Sequence, residues 1–168
     1  MIKFRLFGFG KSGETTSSGL GEPAAQQPQS LPENTQTSFI GKRVLIVDDD
    51  PVFLKATTAK LQSVGLQVQA VREASEAIAA LGDAPADAVL MDITFQADVC
   101  NGGMGSWDGF QIMTWLRGLP SAKGARFIMV TNSDSADDRL RAQKLGAVAY
   151  LQKPLDHNKL LAALNASN

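Results

Sequence analysis

Hydrophobic positions in this chain come in short, evenly spaced bursts from residue 41 onward. Four of them, Val44-Leu45-Ile46-Val47, Ala88-Val89-Leu90-Met91, Phe127-Ile128-Met129-Val130 and Val148-Ala149-Tyr150-Leu151, run without polar alternation. Such runs predict strands covered on both faces, as in a parallel sheet. A fifth, Leu66-Gln67-Val68-Gln69-Ala70-Val71, alternates apolar with polar and predicts a strand at a sheet edge. Helix-length segments separate the bursts. Asp50-Pro51 reads as an N-cap followed by proline at the first helical position. In the helix that follows, Phe53, Leu54, Leu61 and Val64 share one face, and Gly65 closes it with a left-handed cap. Gly82, Gly118 and Gly146 stand where three further helices should stop. The last helix begins after Pro154 and carries Leu160, Leu161 and Leu164 on one side. Five strands alternating with five helices predict a doubly wound α/β fold: right-handed crossovers lay helices on both faces of a five-stranded parallel sheet.

The pattern is absent before residue 41, which divides the chain into an N-terminal extension, 1–40, and one domain, 41–168. Residues 10–39 hold only scattered large apolar side chains (Leu20, Leu31, Phe39), with Pro23, Pro28 and Pro32 and a glutamine-rich patch. A segment of that composition buries too little surface to offset its chain entropy and is expected to act as a disordered linker. Residues 1–9 differ, with Phe4, Leu6, Phe7 and Phe9 interleaved with Lys3 and Arg5. They read equally as a docking strand or interfacial anchor, giving weak peripheral tethering, and as a frayed terminus.

Composition narrows the function. The 168 residues carry a net charge of −1, and Lys3, Arg5 and Lys11 in the extension are balanced by Glu14, Glu22 and Glu33. Neither part has the basic excess of a nucleic-acid binder. The single cysteine, Cys100, forms no internal disulfide, and with one histidine it makes no metal-ligand set. No apolar run approaches the ~20 residues that cross a bilayer, and the N-terminus lacks a signal-peptide pattern. A cytoplasmic location is the expectation.

The polar residues that directly follow the apolar runs carry the chemistry, because doubly wound sheets bind ligands at the carboxyl ends of their strands. Asp48 and Asp49 follow the first strand, Asp92 the third and Thr131 the fourth, and the fifth leads to Lys153-Pro154. Three clustered carboxylates repel one another unless a hard cation joins them, and Mg²⁺ takes oxygen ligands while keeping several waters. A carboxylate beside such a metal, with an ammonium and a hydroxyl opposite, suits phosphoryl transfer to an aspartate nucleophile, forming an acyl phosphate.

The order of these residues resembles the receiver domain of bacterial two-component response regulators. The resemblance covers about Lys42 to Leu164. It rests on Val47-Asp48-Asp49-Asp50-Pro51, Asp87-Ala88-Val89-Leu90-Met91-Asp92, Thr131 after Met129-Val130, and Tyr150-Leu151-Gln152-Lys153-Pro154. It implies a flavodoxin-like fold with strand order 2-1-3-4-5. It also implies that Asp92 is the phosphoacceptor, taking phosphate from a histidine kinase or phosphotransfer protein. Asp49 and Asp92 would ligate Mg²⁺, Asp48 would help through water, and the backbone carbonyl of Thr94 would add an oxygen. Lys153 would bind a phosphate oxygen, Thr131 would move to the phosphoryl group on activation, and Tyr150 would swing inward with it. The surface that changes in this family is usually that of the fourth helix, fifth strand and fifth helix. Here the fourth helix, about Ser135 to Leu145, is weakly amphipathic, with charged residues crowded around Leu140. Thr94 and Ser133 occupy positions that tune acyl-phosphate lifetime in the family, and Asn132 stands where the family favours a smaller residue.

The sequence departs from the family after the phosphoacceptor. Asp108-Gly109 lies sixteen residues after Asp92, so Phe95 to Trp107 contains an insertion, rich in glycine and without proline. It reads either as drift, because loop extension is cheap, or as a partner-contacting or lid-like element. Asp50, Asp87 and Asp108 read as caps, His157 as an exposed surface residue, and Trp107 and Trp115 as packing residues. Because the chain ends soon after the fifth helix, the expectation is a stand-alone receiver that signals to a downstream protein target or passes phosphate along a relay, and is not an enzyme with turnover. Two rivals remain. One is a haloacid-dehalogenase-like phosphatase, which needs a second acid where Thr94 stands; the other is a non-phosphorylated scaffold with a receiver fold.

Overall fold

The computed structural model describes residues 39–95 and 107–165. The chain divides into Met1–Ser30 and Leu31–Asn168, and every described residue lies in the second unit. Strands β1 (Arg43–Val47), β2 (Gln67–Val71), β3 (Ala88–Asp92), β4 (Arg126–Thr131) and β5 (Ala149–Gln152) alternate with helices α1 (Pro51–Gln62), α2 (Ala74–Asp83), α3 (Gly109–Arg117), α4 (Ala136–Lys144) and α5 (His157–Asn165). A single 3-10 turn, Pro120–Ala122, precedes β4. All strand pairs are parallel and the order is β2-β1-β3-β4-β5, as the sequence predicts.

Successive residues of a strand point to opposite faces, so each interior strand feeds two cores. Val44, Ile46, Ala88, Leu90, Ile128 and Val130 pack under α1 and α5, against Leu54, Leu61, Leu160, Leu161 and Leu164. Leu45, Val47, Val89, Met91, Phe127 and Met129 face the other way, against Ala77 and Leu81 of α2, Ile112, Met113 and Leu116 of α3, and Ala142 of α4. Phe39, at the end of the segment read as an extension, is fully buried in the first of these cores.

Local signals set the helix ends. The Asp50 carboxylate accepts from the N–H groups of Val52 and Phe53 at 2.8 and 3.2 Å, and Gly65 follows α1 with φ +91°. Asp108 and Gln111 form a reciprocal capping box at the start of α3. Three expectations change. Helix α2 runs through Gly82 to Asp83, and the stop comes from Pro85, which forces Ala84 into extended backbone (φ −160°, ψ 150°). Strand β5 is the edge that the order 2-1-3-4-5 implies, but its Ala149, Tyr150 and Leu151 are only half-buried, where their apolar run reads as a strand covered on both faces. His157 is half-buried rather than exposed.

Candidate phosphoryl-accepting site

The carboxyl ends of β1 and β3 bring Asp48, Asp49 and Asp92 together, with one carboxylate oxygen of each within 4.8 Å of the others. Asp48 is 1% and Asp92 2% exposed, while Asp49 faces solvent. The sheet register explains the grouping. Val47 lies beside Met91, so Asp48 and Asp92 stand at the same level, and Asp92 lies beside Val130, one residue before Thr131.

The loop after β5 delivers the counter-charge. The Lys153 N–H donates to the Thr131 carbonyl at 2.7 Å, and the Lys153–Pro154 peptide bond is cis. The Lys153 side chain, 9% exposed, places Nζ 2.6 Å from Asp48 Oδ2 and 3.7 Å from Asp92 Oδ1. Asp48 Oδ1 accepts from the Asp50 N–H at 3.0 Å. Burial raises the Asp48 carboxyl above its ordinary range; the Lys153 ammonium and the Asp50 N–H offset this only in part. One ammonium therefore faces two buried carboxylates and a third at the rim, an excess of negative charge that suits a cation.

Asp92 divides its two oxygens. Oδ2 accepts from the Thr94 hydroxyl at 2.7 Å. Oδ1 is buried and has no hydrogen-bond partner. Thr131, 1% exposed, turns its hydroxyl to the following turn, donating to the Ser133 carbonyl at 3.0 Å and accepting from the Ser133 N–H at 3.2 Å. The Tyr150 hydroxyl donates to that same Ser133 carbonyl at 3.2 Å and accepts from the Ser135 N–H at 3.4 Å. One carbonyl thus links the two residues read as a switch, and no hydrogen bond joins Thr131 to Asp92 among the described residues.

Five contacts add to what the sequence shows. The Lys153 ammonium sits over the Phe53 ring, 4.3 Å from its centroid. The Arg139 guanidinium covers Tyr150 at 5.0 Å, and Arg141 stacks on Phe110 at 4.3 Å while pairing with Asp108 at 2.9 Å. Gly109 packs so tightly on β3 that a Cβ there would lie 2.0 Å from the Asp92 carbonyl oxygen. The last has a sequence signal, the Asp-Gly pair, whereas the others have none. Of the inserted loop, Phe95 is buried and Trp107 half-buried against the core; Cys100 and the glycines between them lie outside the described residues, as do the first 38 residues. No helix among the described residues is long and apolar enough to cross a membrane.

Comparison with known proteins agrees with the fold. Residues 44–165 match the family model "Response regulator receiver domain". The chain is 33% identical over 124 residues to Protein PilH of Pseudomonas aeruginosa, covering 74% of this chain and 95% of that one; it spans about half of some longer relatives. Among solved structures, a CheY-like receiver domain protein from Methanospirillum hungatei is 30% identical with a TM-score of 0.60, covering 72% of this chain and 88% of that one. A response regulator from Burkholderia pseudomallei, described with a phosphorylated aspartic acid, calcium ion and citrate, is 25% identical with a TM-score of 0.62, covering 74% of this chain and 67% of that one. A haloacid-dehalogenase-like phosphatase is not favoured by these matches, nor by Thr94 at the position where that chemistry needs an acid. With its five-stranded order and its acidic cluster, the chain belongs to the response regulator receiver domain family of two-component signal transduction.

Proposed function

We propose that Asp92 accepts a phosphoryl group from a histidine kinase or phosphotransfer protein, and that the modified domain signals by contact with a downstream protein or by relay. The observation that carries this reading is the buried Asp92 Oδ1, left without a hydrogen-bond partner at the centre of three carboxylates and 3.7 Å from the Lys153 ammonium. A buried carboxylate oxygen without a partner is costly unless a cation or an incoming group completes it. In the transfer, Oδ1 forms a bond to phosphorus while the bond from phosphorus to the donor breaks. The donor leaves with the electron pair, as acetate from acetyl phosphate or as an imidazole that takes its proton from solvent, and Asp92 is left as an acyl phosphate.

The three clustered carboxylates suit a hard cation; Asp48, Asp49, Asp92 and the Thr94 carbonyl would hold Mg²⁺, which would supply neutralisation of the phosphoryl oxygens. The chain's own groups do the rest. Lys153 holds its ammonium 3.7 Å from Oδ1, where it can neutralise an oxygen of the incoming phosphoryl group. The Thr94 hydroxyl holds Oδ2, which leaves Oδ1 as the free nucleophile. The Thr131 hydroxyl is tied to Ser133 and moves to the phosphoryl group on modification. That movement removes one of two donors from the Ser133 carbonyl and shifts Tyr150 and Arg139 behind it. The readout surface is then α4, β5 and α5, where Leu140 is 49% exposed. The domain is a stoichiometric acceptor with slow autodephosphorylation, acting in the cytoplasm.

The test is incubation with acetyl phosphate and Mg²⁺ followed by intact mass. Wild type is expected to gain one phosphate and Asp92→Asn none. An unmodified wild type sinks the reading, and rapid steady-state phosphate release favours a phosphatase instead.

A further inference from the structure

We infer that Phe53 is a positioning residue for phosphoryl transfer: its ring holds the Lys153 ammonium on the two buried carboxylates. The inference rests on the proposed role of Asp92. Its basis is a chain of contacts at one corner of the site. Asp50 accepts from the Phe53 N–H at 3.2 Å, which fixes the first turn of α1 and with it the base of the Phe53 side chain. The ring then lies 4.3 Å from Lys153 Nζ, well inside cation–π range. Nζ is at the same time 2.6 Å from Asp48 Oδ2 and 3.7 Å from Asp92 Oδ1.

An ammonium carries three N–H groups and tolerates no buried one without an acceptor. One is taken by Asp48. The ring face accepts the second, on the side where water would otherwise hydrate the charge, so the third remains for Asp92 and the incoming phosphoryl oxygens. Lysine reaches this place on a four-carbon stem with several rotatable bonds, so its aim comes from the contacts at its tip. An aliphatic residue at position 53 fills similar space but has no negative ring face. Phe53 also borders a cleft of about 100 Å³ beside Pro154 and His157.

The experiment compares wild type with Phe53→Leu, Phe53→Met and Phe53→Tyr in the full chain, each checked for folding by circular dichroism. Phosphorylation by acetyl phosphate with Mg²⁺ is followed by intact mass. Proton NMR separately records the Lys153 Cε protons, which ring current moves upfield of their random-coil position. The expected result is a rate loss of roughly five- to thirtyfold in Phe53→Leu and Phe53→Met, the span a desolvated cation–π contact supports. Phe53→Tyr is expected within about twofold of wild type. The upfield shift should persist in Phe53→Tyr and vanish in the aliphatic variants. Aliphatic variants that react at the wild-type rate overturn the inference, as do Lys153 resonances at random-coil positions in wild type. A Phe53→Tyr loss as deep as that of Phe53→Leu also overturns it. Failure of wild type to become phosphorylated instead refutes the role of Asp92, and the resonance shift still reports on Phe53.

Discussion

Gly109→Ala gives the sharpest test of how tightly α3 is packed onto β3. Gly109 opens α3, and its N–H donates to the Ile93 carbonyl at 3.2 Å. An added Cβ would meet the Asp92 carbonyl oxygen at 2.0 Å, and the Asp92 carbonyl carbon and Ile93 Cα at 3.0 Å. All three are backbone atoms, so no side-chain tip can swing aside. Ordinary carbon–oxygen contact needs about 3.3 Å, so one element has to retreat by more than 1 Å. Strand β3 is held by partners on both sides, with Ile93 N–H on the Val130 carbonyl at 2.8 Å. The strain therefore falls on α3, which Phe110, Ile112, Met113 and Leu116 anchor in the core. Overpacking of this kind costs about 3 kcal/mol, and better helix propensity returns under about 1 kcal/mol. For a domain of this size the loss lowers Tm by roughly 6–12 °C. A shift near 1 Å at a reacting group also slows chemistry by up to about a hundredfold. Thermal unfolding by circular dichroism and phosphorylation by intact mass read the two effects. Gly82→Ala is the matched control, because a Cβ there meets nothing within 4 Å inside α2. It is expected to gain about 0.5–1 kcal/mol. Equal melting temperatures for the two variants would refute the reasoning.

Two other measurements follow from the electrostatics. Burial holds the Asp48 carboxyl above its ordinary range, so the folded metal-free domain keeps that proton after the unfolded chain has lost it. The cost is absent at pH below the ordinary carboxylate range, grows as pH rises toward the folded-state value, and is constant beyond it. At pH 7, Mg²⁺ at ten times its Kd is expected to add about 1.4 kcal/mol of stability, read as a rise in Tm at fixed ionic strength; no rise would speak against a metal at the three carboxylates. Arg141→Ala removes the Asp108 ion pair and the cover over Phe110. Both charged groups are partly exposed, so the loss is about 1 kcal/mol at low salt and smaller at high salt; a salt-independent loss would assign the effect to packing alone.

Periodicity and punctuation are local properties, and they were enough to predict five strands, five helices and the parallel sheet. The placement of the polar residues was equally legible, because residues that directly follow buried apolar runs must emerge at the strand ends. Asp48, Asp49, Asp92, Thr131 and Lys153 accordingly lie at the carboxyl ends of their strands, where the sequence puts them. The misreadings have local causes too. Gly82 resembles a helix stop, but Pro85 sets the boundary, and the apolar run at Val148–Leu151 reads as covered on both faces where β5 is only half-buried.

What only the tertiary structure decided are contacts across long sequence separations. Phe53 and Lys153 are a hundred residues apart, and nothing in the spacing around Phe53 distinguishes a core residue from one that faces an ammonium. The shared Ser133 carbonyl, the Arg141–Asp108 pair and the fit of Gly109 on Asp92 likewise depend on how α3 and α4 settle against the sheet. Side-chain type determines which groups can react, and it can be read one residue at a time. Their distances are set by packing, a property of the whole chain at once. By itself the sequence determined which polar groups follow the strands of this receiver, and the tertiary structure decided which oxygen of Asp92 is left without a hydrogen-bond partner.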